Sequence, residues 1–85
     1  MKKRVYVVED MAISRVALID MLEDNNFEVV GSAAHGDKAL LDIKDQDIDI
    51  ALLDISMPKM NGLDVAKKIY DLKLPTKVLI LSINP

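Results

Sequence analysis

The stretch from Ile50 to Gly62, I-A-L-L-D-I-S-M-P-K-M-N-G, constrains this chain more than any other. It opens on a continuous apolar run, Ile50-Ala51-Leu52-Leu53. A run that short and without polar alternation suits a central parallel strand covered on both faces. Asp54 ends it. Burying a carboxylate there without a partner costs on the order of several kcal/mol. Asp54 is therefore expected at the strand's C-terminal end, facing the crevice where open α/β sheets bind ligands. Met57-Pro58 and Asn61-Gly62 supply loop chemistry. Pro58 restricts the backbone, and Gly62 permits a close approach or a tight start to the next helix.

The rest of the chain alternates around that strand. Val5 to Val8 reads as a first, central strand ending in Glu9-Asp10, and Ala12 to Asp24 as a helix with Leu18, Met21 and Leu22 as its apolar stripe. Asn25-Asn26 ends the helix. Phe27 to Ala33 is a second strand. Asp37 is the expected cap of a second helix, whose inner face carries Ala39, Leu40 and Ile43. The acidic connection Asp45 to Asp49 lacks the glycine and terminal glutamate of a calcium loop and reads as a solvated turn. A third strand covers Ile48 to Asp54. A third helix runs from Gly62 to Asp71 with Leu63, Ala66, Ile69 and Tyr70 inward. Leu74-Pro75 breaks the chain, and Val78 to Leu81 forms a fourth strand closed by Ser82. The order β-α-β-α-β-α-β predicts a parallel sheet with right-handed crossovers, in one domain spanning 1–85.

Composition narrows the function. A net charge of −3 argues against nucleic acid as a direct partner, and with 4% aromatic residues base stacking has few platforms. The absence of cysteine excludes disulfides, thiolate metal sites and cysteine nucleophiles, and fits a reducing, cytoplasmic setting. The basic start, Lys2-Lys3-Arg4, precedes an apolar run too short for a signal peptide. No stretch approaches the ~20 apolar residues of a membrane span.

In a parallel sheet the C-terminal ends of the strands share one edge. Glu9, Asp10, Asp54 and Ser82, far apart in sequence, can therefore meet. Clustered carboxylates repel unless a cation joins them, and an all-oxygen set of this kind suits Mg²⁺. Such a carboxylate can accept a phosphoryl group as an acyl phosphate. Each element has a plainer reading: an acidic pair after a strand is commonly a solvated helix start, and Ser82 a strand-end hydroxyl. Their joint placement favours the site. His35, the one histidine, receives no role.

The segment L-L-D-I-S-M-P-K-M-N-G resembles the phosphoacceptor segment of bacterial response-regulator receiver domains of the chemotaxis-regulator type. In that family a proline follows the acceptor aspartate by four residues and a glycine by eight. Asp54, Pro58 and Gly62 match. The resemblance implies a flavodoxin-like parallel sheet of order 2-1-3-4 with helices on both faces. Asp54 would be the phosphoacceptor. Asp10 would ligate Mg²⁺ directly, Glu9 mainly through a bound water, and residue 56 through its backbone carbonyl. Ser56 stands where the family often has asparagine. Ser82 would hydrogen-bond the phosphoryl oxygen. The implied partner is a sensor histidine kinase, and the implied output a DNA-binding domain in a longer parent.

The resemblance covers the whole chain but only about two thirds of a doubly wound domain of this kind. The expected remainder, a helix, a fifth strand with its lysine and switch aromatic, and a last helix, has no counterpart in these residues. Strand four, Val78 to Leu81, is then an exposed sheet edge, from which a homo-oligomer or domain swap is expected. Two alternatives remain. One is a structural, oligomerising fragment without phosphoryl chemistry. The other is an aspartate-nucleophile phosphatase of the haloacid dehalogenase type, against which Ser56 counts because a second aspartate is expected there. The primary reading is a non-enzymatic switch.

Overall fold

The computed structural model describes residues 2–55 and 61–81. Its elements are β1 (Arg4–Val8), α1 (Ala12–Asp24), β2 (Glu28–Ala33), α2 (Gly36–Asp45), β3 (Ile50–Asp54), α3 (Gly62–Asp71) and β4 (Lys77–Leu81). The four strands form one sheet of order β2-β1-β3-β4 with every pairing parallel, as the alternating pattern predicts. Among the described residues no helix is long and apolar enough to cross a membrane.

Strand periodicity divides the sheet into two faces. Tyr6 and Val8 of β1 and Ala51 and Leu53 of β3 meet Ala39 and Ile43 of α2 and Val65 and Ile69 of α3 in one buried cluster. Val5 and Val7 alternate to the opposite face and are equally buried. That face belongs to α1, which packs on β1 and β2. None of α1's own residues is fully buried. Leu18 and Leu22 are half-buried, while Met21, expected in the same stripe, is exposed. Leu18 and Leu22 are one i, i+4 pair facing the sheet, and Met21 lies a residue to the side.

The same geometry corrects α3. Its inward stripe is Gly62, Val65, Ala66 and Ile69, a regular i, i+3, i+4, i+7 series. Leu63 and Tyr70 sit one residue further round and are exposed. Several boundaries also differ by a residue or two: β1 begins at Arg4, β2 at Glu28 and β4 at Lys77. β3 begins at Ile50 rather than Ile48, and Arg4 ties down the residues before it. Its backbone N–H donates to Asp49 Oδ2 at 2.8 Å and its Nε to the Asp47 carbonyl at 2.6 Å. This commitment of Asp49 supports reading the acidic connection as structural rather than as a cation loop. At α2 the cap position is His35, without a side-chain capping bond, and Asp37 lies inside the first turn, where its charge favours the helix dipole.

Tyr6 fixes α2 against the sheet. Its hydroxyl donates to Asp42 Oδ2 at 2.5 Å, and Lys38 Nζ donates to the same oxygen at 2.8 Å. Lys38 first and Tyr6 second hold the Asp42 carboxyl below the ordinary carboxylate range. Burial, with the carboxylate beside it, pushes the Tyr6 phenol upward. The ring finds room because the β1–β2 register shifts between Val5 and Tyr6, bringing Gly31 opposite it. A Cβ on Gly31 would lie 2.8 Å from Tyr6 Cε2.

Candidate functional site

β1 and β3 run side by side with Val8 paired to Leu53. The residues that follow, Glu9 and Asp54, therefore leave the sheet together at its C-terminal edge. Glu9 extends the strand by one rung, its N–H donating to the Ala33 carbonyl at 3.0 Å. Asp10 follows in the turn to α1. One carboxylate oxygen from each of Glu9, Asp10 and Asp54 lies within 4.8 Å of the others. Residues separated by more than forty positions thus form a single acidic cluster, as the strand-end pattern predicts.

The cluster is unusually dry. Glu9 is 1% exposed and Asp54 2%, with Asp10 half-buried. Glu9 Oε1 accepts the Met11 N–H at 3.3 Å, but Glu9 Oε2 is buried and receives no hydrogen bond among the described residues. Burial, reinforced by the Asp54 carboxyl beside it and only partly offset by the Met11 N–H, pushes the Glu9 carboxyl up to about 7. Two arrangements relieve the strain. Glu9 can retain a proton and share it with Asp54, or a cation can take the place of that proton.

The donor set is three carboxylates and no nitrogen or sulfur, which selects a hard cation such as Mg²⁺. The orphaned Glu9 oxygen and the mutual approach of the three acids both fit such an ion. Sequence reading missed one supporting residue. Arg15, one turn into α1, donates through Nη1 to the Glu9 carbonyl at 2.8 Å and so pins the turn that carries Glu9 and Asp10. Its spacing, five residues after Asp10 on a helix that starts at the site, was the available signal. The expected roles of Ser56 and Ser82, and the loop containing Pro58 and Lys59, lie outside the described residues.

The family profile described as the response regulator receiver domain matches residues 5–85. The chain belongs to the response regulator receiver domain family. The receiver is 38% identical over 82 residues to the chemotaxis protein CheY of Thermotoga maritima, covering 96% of this chain and 68% of that protein. It is 39% identical over 82 residues to a protein-glutamate methylesterase/protein-glutamine glutaminase of Clostridium acetobutylicum, covering 95% of this chain. It spans only 24% of that protein's length. Among solved structures, the response regulator protein TrrA of Thermotoga maritima, in complex with Mg²⁺-BeF, matches the receiver with a TM-score of 0.89 and 33% identity, covering 96% of this chain and 70% of that one. The receiver therefore has the flavodoxin-like fold of two-component signalling proteins.

Proposed function

We propose that Asp54 accepts a phosphoryl group from the phosphohistidine of a sensor histidine kinase, with Glu9, Asp10, Asp54 and the Ser56 carbonyl as the residues that hold Mg²⁺. The observation that carries this reading is the convergence of three carboxylates, one oxygen of each within 4.8 Å of the others, beside a Glu9 oxygen that is buried and unbonded among the described residues. Bound there, Mg²⁺ would supply the positive charge that offsets both the acidic cluster and the incoming phosphoryl group. Asp54 is the nucleophile: its carboxylate oxygen forms the new bond to phosphorus while the phosphorus–nitrogen bond breaks and the imidazole keeps the electron pair. Glu9 and Asp10 orient the site, and Arg15 keeps their turn in place. Ser82 would donate a hydrogen bond to the transferred group. The receiver acts as an acceptor and switch, without turnover of a substrate of its own.

Fluoroberyllate, which mimics an aspartyl phosphate, tests the assignment. The receiver is expected to show a bound ¹⁹F resonance only with Mg²⁺ present, and Asp54→Ala to show none. A bound signal in Asp54→Ala, or one independent of Mg²⁺, overturns it.

The proposed output is DNA binding by a separate domain of a longer protein in the cytoplasm. The methylesterase relative suggests an enzymatic domain as the alternative output. Self-association is favoured by a different observation. β4 is an edge of the described sheet, and Leu79 and Ile80 on it are exposed. An apolar edge of this kind is a template for pairing with a second chain. Sedimentation of the 85-residue chain at roughly tens of micromolar is expected to show dimers or larger species. A single monomeric boundary contradicts this.

A further inference from the structure

Gly62 opens α3, and no glycine in the described chain has a positive φ. Its missing side chain is therefore not explained by left-handed backbone. Proximity explains it. A Cβ at this position would lie 2.7 Å from the Asp54 carbonyl oxygen, 2.9 Å from the Asp54 carbonyl carbon and 3.0 Å from Leu53 Cβ. All three distances are shorter than ordinary van der Waals contact. The first turn of α3 thus rests directly on the main chain of Asp54.

α3 has little freedom to withdraw. Its start is tied by a reciprocal cap: Asn61 Oδ1 accepts the Leu63 N–H at 2.9 Å and the Asp64 N–H at 3.2 Å, and Asp64 Oδ2 accepts the Asn61 N–H at 3.3 Å. Its body is held by Val65 and Ile69 in the core. An atom added at position 62 must therefore move β3's end as well as α3.

We propose that Gly62 is a positioning residue for the acidic site. By letting α3 touch the Asp54 main chain, it sets where the Asp54 carboxylate stands relative to Glu9 and Asp10. The inference rests on the cation-site reading above. Gly31 supplies a contrast. A Cβ there would also come close, 2.8 Å from Tyr6 Cε2, but against a side-chain ring and not against main chain. That contact is with the Tyr6 side chain, partway along β2, so it affects packing without touching the end of β3.

The test compares Gly62→Ala, Gly31→Ala and Asn61→Ala in an osmolyte that keeps the folded fraction high. Mg²⁺ affinity is read from the amide resonances of Asp10 and Asp54. Gly62→Ala is expected to weaken Mg²⁺ binding about tenfold or more, as loss of support around metal ligands commonly does. It is also expected to shift the Asp54 carbonyl ¹³C resonance before any Mg²⁺ is added. Folded Gly31→Ala should stay within about twofold of the parent chain, and Asn61→Ala, which loosens the start of α3 without adding atoms, should lose about threefold. Gly62→Ala binding like the parent, or Gly31→Ala losing as much, overturns the proposal. If Gly62→Ala does not fold, Asn61→Ala decides, and unchanged affinity there overturns it. A parent chain that binds no Mg²⁺ sinks the cation-site reading instead, while the metal-free Asp54 carbonyl shift still decides the positioning role.

Discussion

Between about pH 5.5 and about pH 8, the receiver without divalent cations is expected to lose about 2 kcal/mol of stability relative to its Glu9→Gln variant. The cause is the buried Glu9 carboxyl, held at about 7 against an ordinary value of 4.5. A carboxyl with a raised folded-state value binds more protons in the folded chain than in the unfolded one. Its favourable contribution is therefore present at low pH and is lost as pH rises from the unfolded value through the folded one. Above about pH 7 the folded chain must hold an ionised Glu9 beside Asp54, with Oε2 unbonded among the described residues. Glutamine keeps the shape and removes the titration. Urea melts of both chains across this range measure the difference. Parallel slopes for the two chains contradict the protonated-Glu9 picture. Mg²⁺ should reverse the trend, because an ion displaces the shared proton and binds more tightly as pH rises.

Leu53→Ala is expected to cost about 3–4 kcal/mol, as deletions of fully buried leucine commonly do. Leu53 is 0% exposed and sits where β3 meets α2 and α3, one residue before Asp54. Truncating it leaves a void between the sheet and α3, whose start rests on the adjoining backbone. A chain of this size has a margin of about 5 kcal/mol. The variant should therefore unfold over a broad, low range of urea, followed by circular dichroism. A loss under about 1 kcal/mol would show that the site is not built on this core.

The parts of this fold that the sequence announces are those with strong local periodicity. Val5–Val8 and Ile50–Leu53 are apolar throughout, so they had to be central strands, and that placement alone brings Glu9 beside Asp54. Asn25-Asn26 stops α1, with Asn26 taking a φ of 72°. The errors came where helix faces had to be chosen from few residues. In α3, Leu63 is as apolar as Val65 and the Tyr70 ring offers as large a surface as its neighbours, so only packing against β3 decides that Val65 turns inward and Leu63 and Tyr70 do not. Asp37 looked like a cap because it is acidic and precedes a helix, yet it sits in the helix's first turn with His35 at the cap position. The capping box of α3 was present in the pair Asn61 and Asp64 and went unread. The burial of Glu9 could not be foreseen from the sequence, since an acidic pair after a strand is more often solvated. It takes the β1–β2 and β1–β3 registers together to enclose that side chain.

Intact mass after incubation with acetyl phosphate and Mg²⁺ tests the acceptor role most directly. The receiver should gain one phosphoryl group, located at Asp54 by hydroxylamine sensitivity and peptide mapping, while Asp54→Ala and reactions lacking Mg²⁺ should gain none. An unmodified receiver, or an equal gain in Asp54→Ala, would show that the three carboxylates at this sheet edge are not a phosphoacceptor site.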